Sequence, residues 1–196
     1  MQLWMNLTRN KPDFESAIIA SGYGIIRGVI NPIYKADDVR SKLTGQYTYL
    51  EPLAETNPLN LGEIIKFKID AISPLKFQGF GFVFDADSVG IAIFSQLKRN
   101  FSCQFGAYYS KEGDWTSPRF FMSINAMFEA GVDYVFLNPS FLPEIIEWVI
   151  KIHDRMLYKT RVILESDEGS SDDVLASGAH GLLLKDYEYV NFFGKV

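Results

Sequence analysis

Four charged residues of this chain each stand at the end of a short, mostly apolar run. Glu51 follows Tyr47-Thr48-Tyr49-Leu50, Asp85 follows Phe82-Val83-Phe84, Glu165 follows Val162-Ile163-Leu164, and Lys185 follows Leu182-Leu183-Leu184. Carboxylates so placed supply an acid/base pair for moving a proton beside a carbonyl, or oxygen ligands for magnesium or another hard cation. A lysine enclosed by apolar walls has its pKa lowered and can then condense with a carbonyl as an imine. The plainer roles stay open: the carboxylates cap the following helices or face solvent, and Lys185 is a surface residue after a last strand. Asn6, Asn31, Tyr108, Asn138 and Ser166 stand at equivalent run ends and can hold a substrate through hydrogen bonds. Asn31, before Pro32, could equally pin the backbone of its own loop.

Residues this far apart in sequence act together only if their runs are neighbouring strands, and the chain reads as strands alternating with helices. The spacing predicts strands over Met1–Leu7, Ile25–Ile30, Gln46–Glu51, Phe80–Asp85, Ser102–Tyr109, Tyr134–Leu137, Arg161–Leu164 and Gly181–Leu184. Helices are expected from Lys11-Pro12-Asp13 to Ala20, then over Lys35–Leu43, Asn60–Ile72, Val89–Leu97, Phe120–Ala130, Leu142–Met156 and Ser171–Ser177. Ser110 to Pro118 reads as an irregular loop. Glu129-Ala130-Gly131-Val132-Asp133-Tyr134 and Ala176-Ser177-Gly178-Ala179-His180-Gly181 share one grammar: a helix stopped by glycine, small residues, then a buried strand. Eight parallel strands with connecting helices imply a small closed (β/α)₈ barrel, with an open doubly wound parallel sheet as the alternative.

With 196 residues, 47% of them hydrophobic, 22% charged and 15% aromatic, the chain suits one domain over residues 1–196 and is not disordered. No apolar run approaches the roughly 20 residues that span a bilayer, and the first residues carry no export signal, so no membrane association and a cytoplasmic location are expected. A single cysteine, Cys103, excludes an internal disulfide and a zinc site built on several thiolates. The net charge of −5, without a Lys/Arg stripe, argues against nucleic acid. His153 and His180 lie far apart in sequence, which weakens a His-based metal site or a Ser-His-Asp arrangement, and His153 reads as a solvent-facing residue in a helix. Neither metal nor cofactor is expected; the expected partner is a small-molecule ligand. Ser166 with Gly169, Ser170 and Ser171 could hold a phosphate at a helix start, although Asp167 and Glu168 would repel one. Tyr47, Tyr49, Phe80, Phe82, Phe84, Tyr108 and Tyr109 read as core or mouth packing.

Met1-Gln2-Leu3-Trp4-Met5-Asn6-Leu7, Gly28-Val29-Ile30-Asn31-Pro32, Gly81-Phe82-Val83-Phe84, Ala130-Gly131-Val132-Asp133-Tyr134-Val135 and Val162-Ile163-Leu164-Glu165-Ser166 follow one another in an order that resembles the small transaldolase and fructose-6-phosphate aldolase family. That resemblance implies a barrel and Schiff-base chemistry on sugar phosphates, and this chain departs from it at three positions. Asn6 stands where the family has a proton-transferring Asp, Phe82 aligns with the imine-forming lysine of the fourth strand, and Asn138 falls near the tyrosine that handles the catalytic water. The chain also ends at Val196 without the C-terminal helix such aldolases use to grip a neighbour, so a homo-oligomer is an open expectation. Three readings result. The first is a divergent barrel that has lost imine chemistry and binds a small molecule, such as a sugar phosphate, or a partner. The second is an aldolase, lyase or transaldolase of carbohydrate metabolism with Lys185 as a relocated nucleophile and Asp85, Glu51 or Glu165 as acid/base. The third is metal-assisted carbonyl chemistry on the same carboxylates.

Overall fold

Successive residues of a strand point to opposite faces of the sheet, and in this chain the two sets differ in size. The fourth strand shows it best: in Gly79-Phe80-Gly81-Phe82-Val83-Phe84-Asp85 the phenylalanines share one face and Gly79, Gly81, Val83 and Asp85 the other. In the computed structural model the small face of this strand lines the inside of a closed barrel and its phenylalanines meet the helices. The structure describes residues 2–7, 11–53, 58–110, 117–138, 143–166 and 177–184.

Eight parallel strands close into a barrel in sequence order. They are β1 (Gln2–Asn6), β2 (Ile26–Ile30), β3 (Thr48–Pro52), β4 (Gly79–Asp85), β5 (Gln104–Tyr109), β6 (Tyr134–Leu137), β7 (Arg161–Ser166) and β8 (Gly181–Leu184), with β8 pairing back onto β1. Between them run α1 (Lys11–Gly22), α2 (Ala36–Lys42), α3 (Pro58–Ile72), α4 (Ile91–Asn100), α5 (Ser117–Glu129) and α6 (Pro143–Met156). The expected (β/α)₈ barrel is therefore the observed fold, and the open doubly wound sheet is not.

Element limits moved for identifiable reasons. β3 starts at Thr48 because its ladder with β2 begins at Gly28↔Thr48. β7 runs on through Glu165 and Ser166 because both pair with β8. α4 begins late because the Asp85 carbonyl first accepts the amides of Ser88 and Val89 in a tight turn. Gly131 and Gly178, which stop the helices in the repeated grammar, have φ of 77° and 79°, a left-handed conformation that glycine adopts without a Cβ clash. The expected helix Ser171–Ser177 lies almost wholly outside the described residues, and so does the loop 111–116.

The core is split by the sheet into two layers. Outside the sheet, Leu3, Met5, Val29, Tyr49, Phe82, Phe84, Phe105, Val135, Val162 and Leu182 meet the helices in one large cluster. Phe94 of α4 packs 5.4 Å from Phe84 and 5.9 Å from Phe105, ring centre to ring centre. Inside, a small cluster of Trp4, Ile30, Leu50, Val83, Tyr134, Phe136, Ile163 and Leu183 fills the lumen, with Tyr108 packed against it. The expected packing role of the aromatics holds for Tyr47, Tyr49, Phe82, Phe84 and Tyr109, all fully buried in the outer layer.

The lumen works because rings face glycines. Trp4 and Gly28 are directly opposite in the β1–β2 ladder, and a Cβ on Gly28 would stand 2.3 Å from the indole. On the far wall a Cβ on Gly106 would stand 2.8 Å from the Phe136 ring. Trp4 also meets Phe136 edge-on at 5.4 Å and Tyr134 at 4.7 Å, so three rings from two strands are held at the barrel centre. This interior is dense, and an added methyl there forces neighbouring side chains out of their rotamers. Gly28→Ala should lower the unfolding free energy by about 1–3 kcal/mol, and Trp4→Leu by a comparable amount through the cavity it leaves. In urea titrations the double variant should cost less than the sum of the two, because the new methyl partly fills the new space.

Candidate active site

In a barrel of this kind the ends of all eight strands converge at one mouth, and only side chains on the lumen face reach it. Strand parity therefore sorts the candidate residues. Asn6 shares the face of Trp4, Asp85 that of Val83, Tyr108 that of Gly106, Asn138 that of Phe136, and Glu165 that of Ile163. Asn31 and Glu51 fall on the other face, beside Val29 and Tyr49.

The lumen-facing group forms a connected polar site. Tyr108 donates its phenolic O–H to Glu165 Oε2 at 2.5 Å, and Asn138 Nδ2 donates to the same oxygen at 3.0 Å. Glu165 is 2% exposed and Asn138 9%, so the carboxylate is enclosed and held by donors on β5 and just after β6. Burial, and then the hydrogen bond and negative charge of Glu165, push the Tyr108 phenol well above its ordinary value, with Asp85 adding in the same direction. Tyr108 is therefore a proton-bearing group across the whole ordinary pH range. It opens onto a cavity of about 240 Å³ lined by Asn6, Ile30, Pro52, Leu53, Val83, Phe84, Asp85 and Tyr108. Asp85 Oδ1 accepts the amide of Asp87, which fixes the turn after β4.

Glu51 and Asn31 belong to a different network. Tyr49 donates to Glu51 Oε1 at 2.9 Å, Lys68 of α3 donates to Glu51 Oε2, and Asn31 Nδ2 donates to the Tyr49 oxygen at 2.9 Å. Asn31 also donates to the Tyr34 carbonyl and accepts the amides of Ile33 and Tyr34, so it pins its own loop. Both side chains point between sheet and helices, away from the lumen, which sets Glu51 apart from the acid/base candidates Asp85 and Glu165 and gives Asn31 the loop-pinning one of its two expected roles. The proposed metal set of Glu51, Asp85 and Glu165 is divided for the same reason. Ser166 ends β7, but its side chain lies outside the described residues, as do Lys185 and the phosphate-binding candidates Gly169, Ser170 and Ser171.

Two other expectations change. Phe82, aligned with the family's imine lysine, points outward into the helix layer and is fully buried there; the lumen positions of β4 are Gly79, Gly81, Val83 and Asp85. Of these lumen positions none carries an amine. His153 is not solvent-facing. It is 5% exposed, its Nε2 is 2.6 Å from the Thr160 carbonyl, and its ring centre is 4.5 Å from that of His180. The connection from Tyr108 to Glu165 spans 57 residues, and no local pattern announces it. The alternation of large and small residues in β4 would, however, have separated Phe82 from Val83 in advance.

No protein-family profile and no curated sequence matches the chain. Solved structures do share its fold. An aldolase superposes with a TM-score of 0.68 at 12% identity, covering 99% of this chain and 93% of the other. A protein of Coccidioides immitis provisionally assigned as a deoxyribose-phosphate aldolase gives 0.72 at 12% identity over 98% and 83%. N-acetylneuraminate lyase of Mycoplasma synoviae gives 0.62 at 12% identity over 96% and 69%. At such identities the likeness shows the barrel fold alone and nothing about activity or substrate.

Removing the Tyr108 hydroxyl should leave the enclosed Glu165 with one donor fewer. Tyr108→Phe is expected to cost about 1–3 kcal/mol in urea unfolding, whereas Asp85→Asn, at a partly exposed strand end, should stay within about 1 kcal/mol.

Proposed function

We propose that this chain is an enzyme of the aldolase and lyase kind that makes or breaks a bond beside a carbonyl by proton transfer, with Tyr108 and Glu165 as its acid/base pair. The observation that carries the reading is the short hydrogen bond from Tyr108, on the cavity wall, to a buried carboxylate behind it. A phenol with a high pKa is a poor base alone. Backed by a carboxylate, it can accept a proton from a substrate hydroxyl while its own proton passes to Glu165, so no phenolate need form. In a retro-aldol cleavage the hydroxyl proton goes to the Tyr108 oxygen and the carbon–carbon bond breaks. Its electron pair moves onto the carbonyl side as an enolate, and the Tyr108 proton ends on Glu165. Asn138 keeps that carboxylate oriented, and Asn6 and Asp85 are the cavity groups available to substrate hydroxyls.

The wall supports a substrate class: among the described residues, five of its side chains are apolar and it carries Asp85 with no lysine or arginine, which favours a short uncharged hydroxy-carbonyl compound over a phosphorylated sugar. Among the described residues no lysine lies on the lumen face of a strand, which favours chemistry without an imine at the fourth strand. The same observation supports a second reading, a barrel that binds such a compound without transforming it.

The protein incubated with dihydroxyacetone, erythrose 4-phosphate and fructose 6-phosphate, in D₂O and then with borohydride, separates these readings. Deuterium incorporation at carbon or aldol cleavage without a covalent adduct is the expected result. An adduct mapped to Lys185 would replace the proposal by a relocated imine mechanism. Calorimetric binding with no exchange would leave the non-catalytic reading. Tyr108→Phe and Glu165→Gln should each lower turnover about 10²- to 10⁴-fold, while Glu51→Gln should keep it within about threefold because its side chain is directed away from the cavity. Because Tyr108 titrates far above the ordinary tyrosine range, the rate should show no alkaline limb from this group before the protein unfolds.

A further inference from the structure

At the opposite end of the barrel from the cavity, where the strands begin, His180 joins the seam between β7, β8 and β1. Its backbone amide donates to the Val162 carbonyl at 2.9 Å, and its carbonyl accepts the amide of Gln2 at 2.8 Å. Its ring adds a third bond: Nδ1 accepts the backbone N–H of Val162 at 3.1 Å. Both main-chain groups of Val162 are thus held by one residue, just before the regular β7–β8 ladder starts at Ile163↔Gly181. A nitrogen that accepts carries no proton, so the neutral ring bears its proton on Nε2. Across from it, His153 of α6 faces the Thr160 carbonyl with Nε2, which must therefore be the protonated nitrogen, and has Nδ1 3.0 Å from Asp154 Oδ1.

His153, Asp154 and His180 bring one ligand atom each within 4.8 Å of one another, which on distance alone would suit a cation. The hydrogen bonds oppose it. A histidine that ligates through one nitrogen carries a proton on the other, and in His180 that other nitrogen is the one facing an N–H. The arrangement responds to a proton instead. The charged or titratable groups facing His180 are His153 and Asp154 from α6 and Arg161 from β7, while Tyr158 lies beyond, 6.5 Å from the His153 ring. Burial first, then His153 and Arg161, lower the pKa of His180 against the opposing pull of Asp154.

We propose that His180, backed by His153, is an acid-sensitive clasp on the seam that closes the barrel. While the ring is neutral it holds the Val162 amide. Protonation at Nδ1 sets a donor against a donor, the bond is lost, and the start of β8 loosens from β7. Because the folded pKa lies below the unfolded one, the stabilisation is complete above the unfolded value of about 6.5 and is lost as pH falls through it towards the folded value. The clasp does not depend on the reaction assigned to the mouth.

The test is amide hydrogen exchange of the whole protein, corrected for the intrinsic pH dependence, between about pH 7.5 and about pH 5. Protection of Val162 should fall about tenfold or more on acidification, while the amides of Val29 and Ala107, on the distant β2 and β5, change little. His180→Asn sets an amide oxygen near the place of Nδ1 and cannot titrate, so its Val162 protection should be flat with pH. His153→Gln keeps a donor for Thr160 and removes the ring that helps to lower the His180 pKa, so the loss of protection should move to higher pH. The clasp is overturned if Val162 protection in the wild type is independent of pH. It is overturned equally if His180→Asn loses protection with the same profile, or, where that variant does not fold, if His153→Gln leaves the midpoint unmoved.

Discussion

Everything in this barrel depends on how little room eight strands leave inside. The lumen accepts three rings, Trp4, Tyr134 and Phe136, only because Gly28 and Gly106 leave the space a side chain would take. With the centre filled this way, the cavity lies at the mouth of the lumen, where the strands end on Asn6, Asp85 and Tyr108. The aromatic plug is therefore the floor of the cavity as well as the core of the barrel. Phe136 lies directly opposite Tyr108 in the β5–β6 ladder, so the plug also supports the group assigned to proton transfer.

The same geometry explains why only some strand-end residues converge. Parity, which is a backbone property, decides whether a side chain is chemistry or scaffold. Asp85 and Glu165 occupy lumen positions. Glu51, also at a strand end and also acidic, is one residue out of phase and is absorbed by Tyr49 and Lys68. Placing a candidate at a strand end is thus half of an argument, and the other half is which of its neighbours share its face.

Much of the architecture was legible because each element carries its own signal. The glycine stops at Gly131 and Gly178 and the apolar runs before Asn138 and Glu165 located strands that the structure contains, and their number and alternation with helices fixed the barrel. Convergence was less legible. Which face Phe82 takes was not legible from a resemblance of a few residues, because in a strand a shift of one reverses the face. His153 looked solvated because its partner His180 is 27 residues away and joins it only through the stacking of α6 against the start of β8. Tyr108 and Glu165 were each named as candidates, but nothing local to either predicts that they share a hydrogen bond.

The chain Asn31, Tyr49, Glu51, Lys68 has a consequence for how the helical ring is indexed against the sheet. Apolar contact between α3 and β3 tolerates sliding, since one aliphatic side chain replaces another at little cost. A lysine head group that must meet one carboxylate, itself held by a phenol that a loop amide fixes in turn, tolerates much less. These four residues act as a vernier mark: they set where along its own axis α3 comes to rest. The polar contacts of this layer thus specify alignment, while the phenylalanines around them supply the cohesion.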